Sequence, residues 1–452
     1  MIEIYPIGGY SKVEGNSVLI KVDEESVILD MGLTMDNYVN FQNQQANLDK
    51  NFNQKYFYDE LLQVDALPDY YGLGKVLKTV KAVIPSHAHL DHVGAVPYGM
   101  KFFDNIPVLG TPYTIEFLRK ELVSTGHKNY FEKNNISLIT CELNTTFKLT
   151  EKITIEFVEV THSVPDSAIL VVHTPYGKVM YAVDYKFDNF PQLGNPPNFK
   201  RLEELGKEGV KCLILESLYA DVDIETPSEQ DVKEELIKTI KGIDIKGKTI
   251  ITSTFSSHIV RLKSLIDIGK SLGRKVFLVG RSLSTHSNIA KEVGIINLKK
   301  QANLASRHDD INELLEDVYV NREDYFLICT GHQGEEFSVL SRILDGWFDF
   351  KFSPEDIMIF SSSVIPTKMN QDSFQELENK LNENKLQIIK DIHASGHAGL
   401  KDHKKMLKLV QPEYVIPAHA GHEKARSIAS LCKDIGIGNP ILTNNGDKIK
   451  LS

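Results

Sequence analysis

Long apolar segments are absent from this 452-residue sequence. No run of about 18 apolar residues occurs, and a run of that length is the minimum for a membrane-spanning helix. The opening residues, MIEIYPIGGYSKVEGN, contain neither the basic stretch nor the apolar stretch of a secretion signal. We therefore expect a cytoplasmic protein with no membrane partner.

Cysteine is scarce as well. The four cysteines, Cys141, Cys212, Cys329 and Cys432, lie far apart along the chain. None of them forms a CxxC pair, which is the spacing of cysteine-rich zinc sites and of redox motifs. Because each has apolar or helical neighbours, we expect reduced thiols buried in the core.

An excess of positive charge is also missing. Lys and Arg total 51 against 61 for Asp and Glu, and the formal net charge is -10. This balance excludes nonspecific nucleic-acid binding by the surface as a whole. A locally basic channel is still compatible with it, and two bound divalent cations would add about four positive charges at one point.

The residues that are present favour a folded chain of more than one domain. Apolar residues make up 42% and charged residues 25%, as in ordinary globular proteins, and the length exceeds what one core usually organises. Short alternating strands such as NSVLIKV and KVMYAVDY dominate up to about residue 200. Residues 33–75 lack strand periodicity and are rich in Asn, Gln and Tyr, which indicates an insertion with its own role.

The pattern then changes. Four apolar runs, KCLILES, KTIITSTF, KVFLVG and YFLICTG, each lead into an amphipathic helix. Strand–helix repeats of this kind predict a doubly wound parallel sheet, which binds ligands at the carboxyl ends of its strands. Metal-binding residue types return only after about residue 370, so we expect residues 206–369 to form a domain inserted between residues 1–205 and 370–452.

The stretch SHAHLDHVGA, residues 86–95, follows one of the early strands. It places His87, His89, Asp91 and His92 within six residues. Imidazole nitrogen and carboxylate oxygen are the ligands that borderline divalent metals prefer. On a turn between a strand and a helix, residues i and i+2 point one way and the next pair points to a neighbouring spot, so two adjacent metals fit better than one.

Further ligands are expected where other apolar strands end. His162, Asp184 and His419 each follow such a strand. We assign His87, His89 and His162 to one metal, Asp91, His92 and His419 to the other, and Asp184 to a bridge between them. Two metals about 3.5 to 4 Å apart can share a water and hold a phosphoryl group. We expect Asp30, in SVILDMG, to hold a ligand histidine through its other ring nitrogen.

This constellation resembles the metallo-beta-lactamase superfamily, whose hallmark is HxHxDH followed by a later His, Asp and His. LILESLYA, HASGHA and VIPAHA, with Glu216, His397 and His419, resemble the three motifs of the beta-CASP nucleases. A histidine in the third motif is similar to the RNA-processing members, whereas DNA-acting members typically carry valine there. The fold implied is α/β: a metallo-beta-lactamase αββα sandwich with an inserted, doubly wound parallel-sheet beta-CASP domain.

Within that group the sequence resembles the ribonuclease J family. THSVPDS, STFSSHIVRL, VGRSL, TGHQGE, DIHASGHAGLKDHKKML and PEYVIPAHA carry the likeness in order along the chain. The short C-terminal end and SHAHLDHVGA resemble the archaeal form. Two departures remain, because PAHAGHEK offers His422 as an alternative ligand to His419, and TGHQGE has His332 where serine is usual.

A phosphate pocket is expected where the strand VFLVG ends. Gly280, Arg281 and Ser282 begin the following helix, whose free N–H groups favour anions, and arginine can grip phosphate through two donors. The family resemblance implies that Ser395, Gly396 and His397 complete this pocket for a terminal 5' monophosphate. Asp91, Glu216 and His397 are our candidate catalytic residues, since a carboxylate–histidine pair can protonate a leaving 3' oxygen. Glu216 could instead be a plain helix-capping carboxylate.

These features predict a two-metal ribonuclease that cleaves single-stranded RNA, with a 5' to 3' exonuclease mode on 5'-monophosphorylated ends and room for endonuclease activity. Zinc is the metal expected from the ligands, and manganese is compatible with the carboxylates. The family resemblance implies a homodimer, to which residues 33–75 could contribute. Three alternatives stay open: a small-molecule thioester or lactone hydrolase, a noncatalytic RNA-binding scaffold, and a DNA nuclease.

Overall fold

The computed structural model describes residues 1–48, 57–365 and 367–451, and these residues form three sheets flanked by helices. The first sheet contains seven strands in the described chain: β1 (Ile2–Gly8), β2 (Ser17–Val22), β3 (Glu25–Leu29), β4 (Val80–Ile84), β5 (Val108–Gly110), β6 (Leu138–Thr140) and β20 (Ile449–Leu451). Their order is β20-β1-β2-β3-β4-β5-β6. Strands β3 and β4 run parallel, so the segments that follow them leave the sheet at one edge.

The second sheet also has seven described strands: β7 (Thr145–Lys148), β8 (Thr154–Glu159), β9 (Ala168–Thr174), β10 (Gly177–Ala182), β11 (Val210–Glu216), β18 (Tyr414–Ala418) and β19 (Asn439–Pro440). Their order is β19-β18-β11-β10-β9-β8-β7. Strands β10, β11 and β18 are parallel neighbours. Their carboxyl ends therefore lie side by side at one edge of the sheet.

The two sheets pack face to face through one buried apolar cluster, which includes Ile4, Ile20 and Ile84 from the first sheet and Phe157, Leu170 and Ile214 from the second. Helices cover the outer face of the first sheet: α1 (Met35–Leu48), α2 (Tyr58–Gln63), α3 (Leu90–Val93), α4 (Val96–Gly99), α5 (Pro112–Ser124) and α6 (Lys128–Lys133). The outer face of the second sheet is covered by α7 (Phe199–Glu208), α14 (Leu400–Val410) and α15 (His422–Ile435). This is an αββα sandwich.

The third sheet is entirely parallel where it is described, with strands β12 (Ile250–Ser253), β13 (Lys275–Val279), β14 (Asn303–Ala305), β15 (Tyr325–Cys329), β16 (Ile357–Phe360) and β17 (Gln387–Ile389) in the order β14-β13-β15-β12-β16-β17. One face carries α8 (Glu229–Lys241), α9 (Ile259–Ser271) and α10 (Arg281–Glu292). The other face carries α11 (His308–Val320), α12 (Val339–Leu344) and α13 (Lys368–Glu383). The predicted fold, a sandwich with an inserted doubly wound sheet, is confirmed.

One strand assignment was wrong. KCLILES was predicted to open the inserted sheet, but β11 pairs with β10 and β18 in the second sheet of the sandwich. A buried parallel strand followed by a helix looks the same in either sheet, so the sequence pattern could not separate them. We therefore propose that the inserted domain runs from near residue 217 to near residue 390 rather than over 206–369. The first portion of the sandwich is then longer than the predicted 1–205, and its last portion is shorter than the predicted 370–452.

The remaining sequence expectations concern single features. All four cysteines are free and buried, as predicted. Part of segment 33–75, residues 49–56, lies outside the described residues, and the rest contains α1, α2 and the first part of a 3-10 helix at Tyr71–Thr79. Tyr58, Leu61 and Tyr70 of this segment are buried in the core. Over the described ranges, no helix is long and apolar enough to cross a bilayer.

Candidate metal centre and active site

The histidines of SHAHLDHVGA lie between β4 and α3, where the chain turns from strand to helix. His89 is the residue that precedes the first turn of α3, and Asp91 and His92 lie within that turn. His87 and His92 are almost completely buried, with 1% and 0% of their surface exposed. The short loop thus orders four donor groups with little freedom.

The remaining donors come from the edge of the second sheet at which strands β8, β10 and β18 end. Asp184 follows β10 and His419 follows β18, while His162 follows β8, which runs in the same direction as β10. Strand ends that share an edge bring side chains from distant parts of the chain together. Asp184, His162 and His419 are all buried.

Three overlapping groups of donors result in the described chain. The donor atoms of His87, His89, His162 and Asp184 lie within 4.8 Å of one another, and so do those of Asp91, His92 and His419. A third group, Asp184, His397 and His419, shares two of its members with the first two groups. Asp184 Oδ2 lies 3.3 Å from His87 Nε2 and 3.4 Å from His162 Nε2. Asp184 Oδ1 lies 3.2 Å from His92 Nε2 and 3.4 Å from His419 Nε2. Each oxygen of Asp184 therefore faces one of the first two groups.

The chemistry of these donors fits a pair of divalent ions. Imidazole nitrogens approach each other closely, with His89 Nδ1 3.1 Å from both His87 Nε2 and His162 Nε2. Asp184 Oδ1 is buried without a hydrogen-bond partner in the described structure, although buried carboxylate oxygens are almost always satisfied. A cation between the rings would satisfy both features, so the cluster is compatible with a two-metal site.

The protein holds the far ring nitrogens of two of the candidate ligand histidines. Asp30 Oδ2 accepts from His92 Nδ1 at 2.6 Å, and the same carboxylate accepts from the backbone N–H of Ser86 at 2.6 Å and from the Tyr181 hydroxyl at 2.9 Å. The carbonyl of Gly396 accepts from His162 Nδ1 at 2.7 Å. Such bonds turn the opposite nitrogen, Nε2, toward the centre and fix the ring.

Electrostatics keeps the donors in metal-binding form. Burial lowers the pKa of His162 and of His419 below the ordinary histidine value, so both rings are neutral and offer a lone pair. Burial would raise the pKa of Asp184, but the surrounding histidines hold it well below its usual range. His422, the alternative to His419, is exposed at the start of α15 and belongs to none of the groups of described donors.

Glu216 and His397 lie beside this centre. Glu216 is the last residue of β11, fully buried, and its Oε2 accepts from His397 Nδ1 at 2.8 Å. Its Oε1 accepts from the backbone N–H groups of Tyr185 and Ala398, at 3.2 and 3.1 Å. His397 Nε2 points inward, 3.9 Å from Asp184 Oδ2. Burial would lower the pKa of His397, but the carboxylates of Glu216 and Asp184 raise it to about 9.

A cavity of about 1570 Å³ between the sandwich and the inserted sheet connects the predicted residues, and its lining includes His89, Asp91, Asp184, Gly280, Arg281, Ser282, Ser395, Gly396, His397 and His419. Gly280 precedes α10 with φ of 130°, and a Cβ there would lie 3.0 Å from a methyl carbon of Val339. Arg281 and Ser282 are exposed to the cavity at the start of this helix. The two predicted halves of the phosphate pocket thus face one space.

Comparison with known proteins decides the family. Ribonuclease J of Pyrococcus abyssi is 38% identical over 454 residues, covering 100% of this chain and 97% of that protein. The chain belongs to the ribonuclease J family. Ribonuclease J of Methanocaldococcus jannaschii is 36% identical, covering 96% of this chain and 95% of the relative. Ribonuclease J 1 of Streptococcus pyogenes is 32% identical over the whole chain and 74% of its own length.

Three family models match successive parts of the sequence. The metallo-beta-lactamase superfamily matches residues 11–208, the beta-CASP domain of ribonuclease J matches 247–381, and the Zn-dependent metallo-hydrolase RNA specificity domain matches 384–443. The predicted family is therefore confirmed. A crystal structure of a protein of unknown function from Enterococcus faecalis V583 superposes with a TM-score of 0.67, 17% identity and 99% coverage of both chains, which shows the shared fold.

Some residues of this ribonuclease J family site were missed from the sequence. Asn16 Nδ2 lies 3.2 Å from His92 Nε2, and Ser257 Oγ of the inserted domain lies 3.4 Å from His89 Nε2. The backbone N–H of His419 donates to the Gly9 carbonyl at 2.6 Å. These contacts arise from long-range folding: Ser257 lies within the STFSSHIVRL motif, but nothing in that motif indicates a contact with His89.

Proposed function

We propose that the protein is a metal-dependent ribonuclease that hydrolyses phosphodiester bonds of RNA. The observation that carries this proposal is the double group of buried donors joined by Asp184, at the floor of a cavity that the inserted domain also lines. Membership in the ribonuclease J family and the match to an RNA specificity domain support RNA as the substrate.

The first ion would be held by His87, His89, His162 and Asp184, and the second by Asp91, His92, His419 and Asp184. We propose zinc in both positions because imidazole dominates the donor set, and manganese fits the carboxylates as a substitute. When bound, two divalent ions lower the pKa of water and neutralise the charge on a phosphate group.

Residues of the chain complete the reaction. His397 is protonated beside Glu216, and its Nε2 faces the centre, so it can give a proton to the leaving 3' oxygen. Glu216 holds the ring through Nδ1 and stabilises its charge. Two bound cations would lower the pKa of His397 from about 9 toward neutrality, which is where a general acid works best.

We propose that the RNA end is held by both halves of the cavity. Arg281 has no ion-pair partner among the described residues, and it lies at the start of α10, where free backbone N–H groups favour anions. Ser395, Gly396 and His397 supply polar groups from the opposite wall. A terminal 5' monophosphate placed here would put the next phosphodiester at the metals, which gives 5' to 3' exonuclease action. A cleft between two domains suits one strand of RNA.

The oligomeric state and the location of the protein are two further parts of the proposal. We propose a homodimer acting in the cytoplasm, with the partly described segment 33–75 near the interface. Phe57 and Tyr71, which flank that segment's buried tyrosines, are 68% and 52% exposed. Light scattering of the purified protein gives the mass directly, and a monomer at working concentrations would contradict the dimer.

The central experiment uses one RNA sequence, labelled at its 3' end, with a 5' hydroxyl, a 5' monophosphate or a 5' triphosphate. We expect stepwise shortening from the 5' end, fastest for the monophosphate and abolished by a chelator. Arg281→Ala should reduce the preference for monophosphate over hydroxyl at least about tenfold, the value of one or two charge-assisted hydrogen bonds. Equal rates for all three ends would refute the end pocket, and cleavage unaffected by chelation would refute the metal-dependent mechanism.

A further inference from the structure

A cluster of buried charged side chains lies where the sandwich meets the inserted domain. We call it the Glu229 network; it consists of Lys186, Asp188, Glu229, His258 and Arg261. The exposed fractions of Lys186, Glu229 and Arg261 are 1%, 3% and 0%. Burying charges costs free energy that their mutual attraction only partly returns. A buried network of this kind is therefore expected to have a role other than stability.

Glu229, at the start of α8, is the centre of the network. Arg261 donates to it twice, from Nε to Oε2 at 2.9 Å and from Nη2 to Oε1 at 3.0 Å. Lys186 Nζ donates to Oε1 at 3.1 Å, and His258 Nε2 lies 3.4 Å from the same oxygen. The backbone N–H of Glu229 donates to Asp188 Oδ2 at 2.8 Å. Two cations and two carboxylates are thus balanced, and each pair joins the sandwich to the inserted domain or joins two of its helices.

One arm of the network reaches two candidate metal ligands. Lys186 lies two residues after Asp184 in the chain. Its backbone N–H donates to the Thr161 carbonyl at 2.9 Å, and the Thr161 hydroxyl donates to the Lys186 carbonyl at 2.6 Å. Since His162 follows Thr161, the position of Lys186 sets the positions of both Asp184 and His162.

The second arm reaches the segment that holds His162 from the other side. Arg261 Nη1 donates to the carbonyl and the hydroxyl of Ser361, both at 2.8 Å, and lies 3.5 Å from His393 Nδ1. The Ser361 hydroxyl donates to the Ile392 carbonyl at 3.1 Å. Residues 392 and 393 lead into Gly396, whose carbonyl holds His162.

We propose that Glu229 and Arg261 are positioning residues, through which the inserted domain holds Asp184, His162 and Gly396 in the arrangement that binds metal. The inference rests on the proposed function, because it assigns a task to residues outside the donor groups. The catalytic centre, on this account, is completed only when the inserted domain is docked on the sandwich.

The test compares Glu229→Gln with Glu156→Gln in zinc-loaded protein. Glu156 is a matched control, since it is also buried and bonded to an arginine and a histidine: Arg201 Nε at 2.6 Å and His173 Nε2 at 2.7 Å. It lies on β8, and its partners are on α7 and β9. The measurements are zinc affinity by chelator competition, and kcat and KM for bis(4-nitrophenyl) phosphate, a small phosphodiester that needs no RNA contacts.

We expect both variants to lose stability and only Glu229→Gln to lose function. Its zinc affinity should fall about tenfold or more, as when outer partners of metal ligands are removed, and its kcat should fall about 10- to 100-fold with KM within about threefold of wild type. Arg261→Lys keeps the charge but not the paired donors, so it should fold and give an intermediate loss. If Glu229→Gln does not fold, the zinc affinity and kcat of Arg261→Lys alone test the proposal.

The proposal is overturned if Glu229→Gln or Arg261→Lys keeps wild-type zinc affinity and kcat, or if Glu156→Gln loses as much as they do. Failure of the proposed function has a different signature. In that case the wild-type protein would bind zinc and hydrolyse the small phosphodiester without cleaving RNA, and the comparison between variants would still be measurable.

Discussion

Left-handed backbone conformations occur at three residues around the donor groups. Asp30, Asp184 and His419 have φ angles of 59°, 52° and 54°. Each such angle in a residue other than glycine costs on the order of 1 kcal/mol or more, and persists where the surroundings impose it. Asp30 and His419 directly follow strands of the sandwich, and Asp184 lies two residues after one. The turn after each strand thus aims its side chain at the centre instead of continuing the sheet.

Gly396 offers a residue-level test of the metal centre. A Cβ at this position would lie 2.7 Å from both Cε1 and Nδ1 of His162, so Gly396→Ala must push the ring away. We expect zinc affinity to fall about 10- to 100-fold, by loss of the bond that orients the ligand, and kcat to fall with it. Chelator competition measures the affinity.

Gly421→Ala is the matched control for Gly396→Ala. It lies in the same returning segment, and a Cβ there meets no atom within 4 Å. Its zinc affinity should equal that of the wild type. An unchanged affinity in Gly396→Ala would mean that His162 is not a ligand.

At the level of elements, the packing of α10 against the sandwich determines the positions of Arg281 and Ser282. Helix α10 of the inserted domain packs on α5 of the sandwich through His286, whose Nδ1 lies 2.8 Å from the Tyr113 hydroxyl. The His286 ring stacks on Phe117, with centroids 5.5 Å apart. All three side chains are buried. The start of α10 is therefore fixed relative to the metal centre.

Phe117→Ala should weaken the packing of α10 on α5. Removing a buried phenylalanine costs roughly 3–5 kcal/mol of stability, and the shifted helix should lose most of the preference for a 5' monophosphate over a 5' hydroxyl. Phe131→Ala, a similarly buried position on α6, should cost comparable stability and keep the preference. Competition between the two RNAs measures this preference. An unchanged preference in Phe117→Ala would show that the position of α10 does not affect recognition of the RNA end.

The sequence revealed those features whose signals are local. The spacing within SHAHLDHVGA is enough to predict its metal donors. Asp184 and His419 can be predicted because they follow apolar strands. KCLILES was misplaced because a strand followed by a helix has the same pattern in both parallel sheets. Asn16 and the Glu229 network could not be found, since the long-range side-chain hydrogen bonds of Asn16 and Glu229 join residues 32 to 76 positions apart, and a lone Asn or Glu carries no pattern.

At the level of the whole molecule, acid stability reports how the sandwich is tied together. Burial would raise the pKa of Glu156, but hydrogen bonds from His173 and Arg201 lower it to about 2, from 4.5. A carboxylate with a depressed pKa stabilises the folded state above its unfolded pKa, and this stability is lost as the pH falls from about 4.5 toward 2. The contribution is on the order of 3 kcal/mol.

Glu156→Gln should therefore be less stable than wild type near pH 6, and the difference should shrink steadily below pH about 4.5. Urea unfolding at several pH values measures it. Glu203→Gln on α7, an exposed position, should follow the wild-type curve. A difference between Glu156→Gln and wild type that stays constant down to pH about 3 would show that Glu156 is not held as an ion.

The central claim is that segments from both ends of the chain meet to hold two cations across Asp184. Anomalous X-ray diffraction at the zinc edge, from crystals of the zinc-loaded protein, tests it most directly. The account predicts two peaks about 3.5 to 4 Å apart, one among His87, His89 and His162 and the other among Asp91, His92 and His419, with Asp184 between them. A single peak, or peaks away from Asp184, would contradict it.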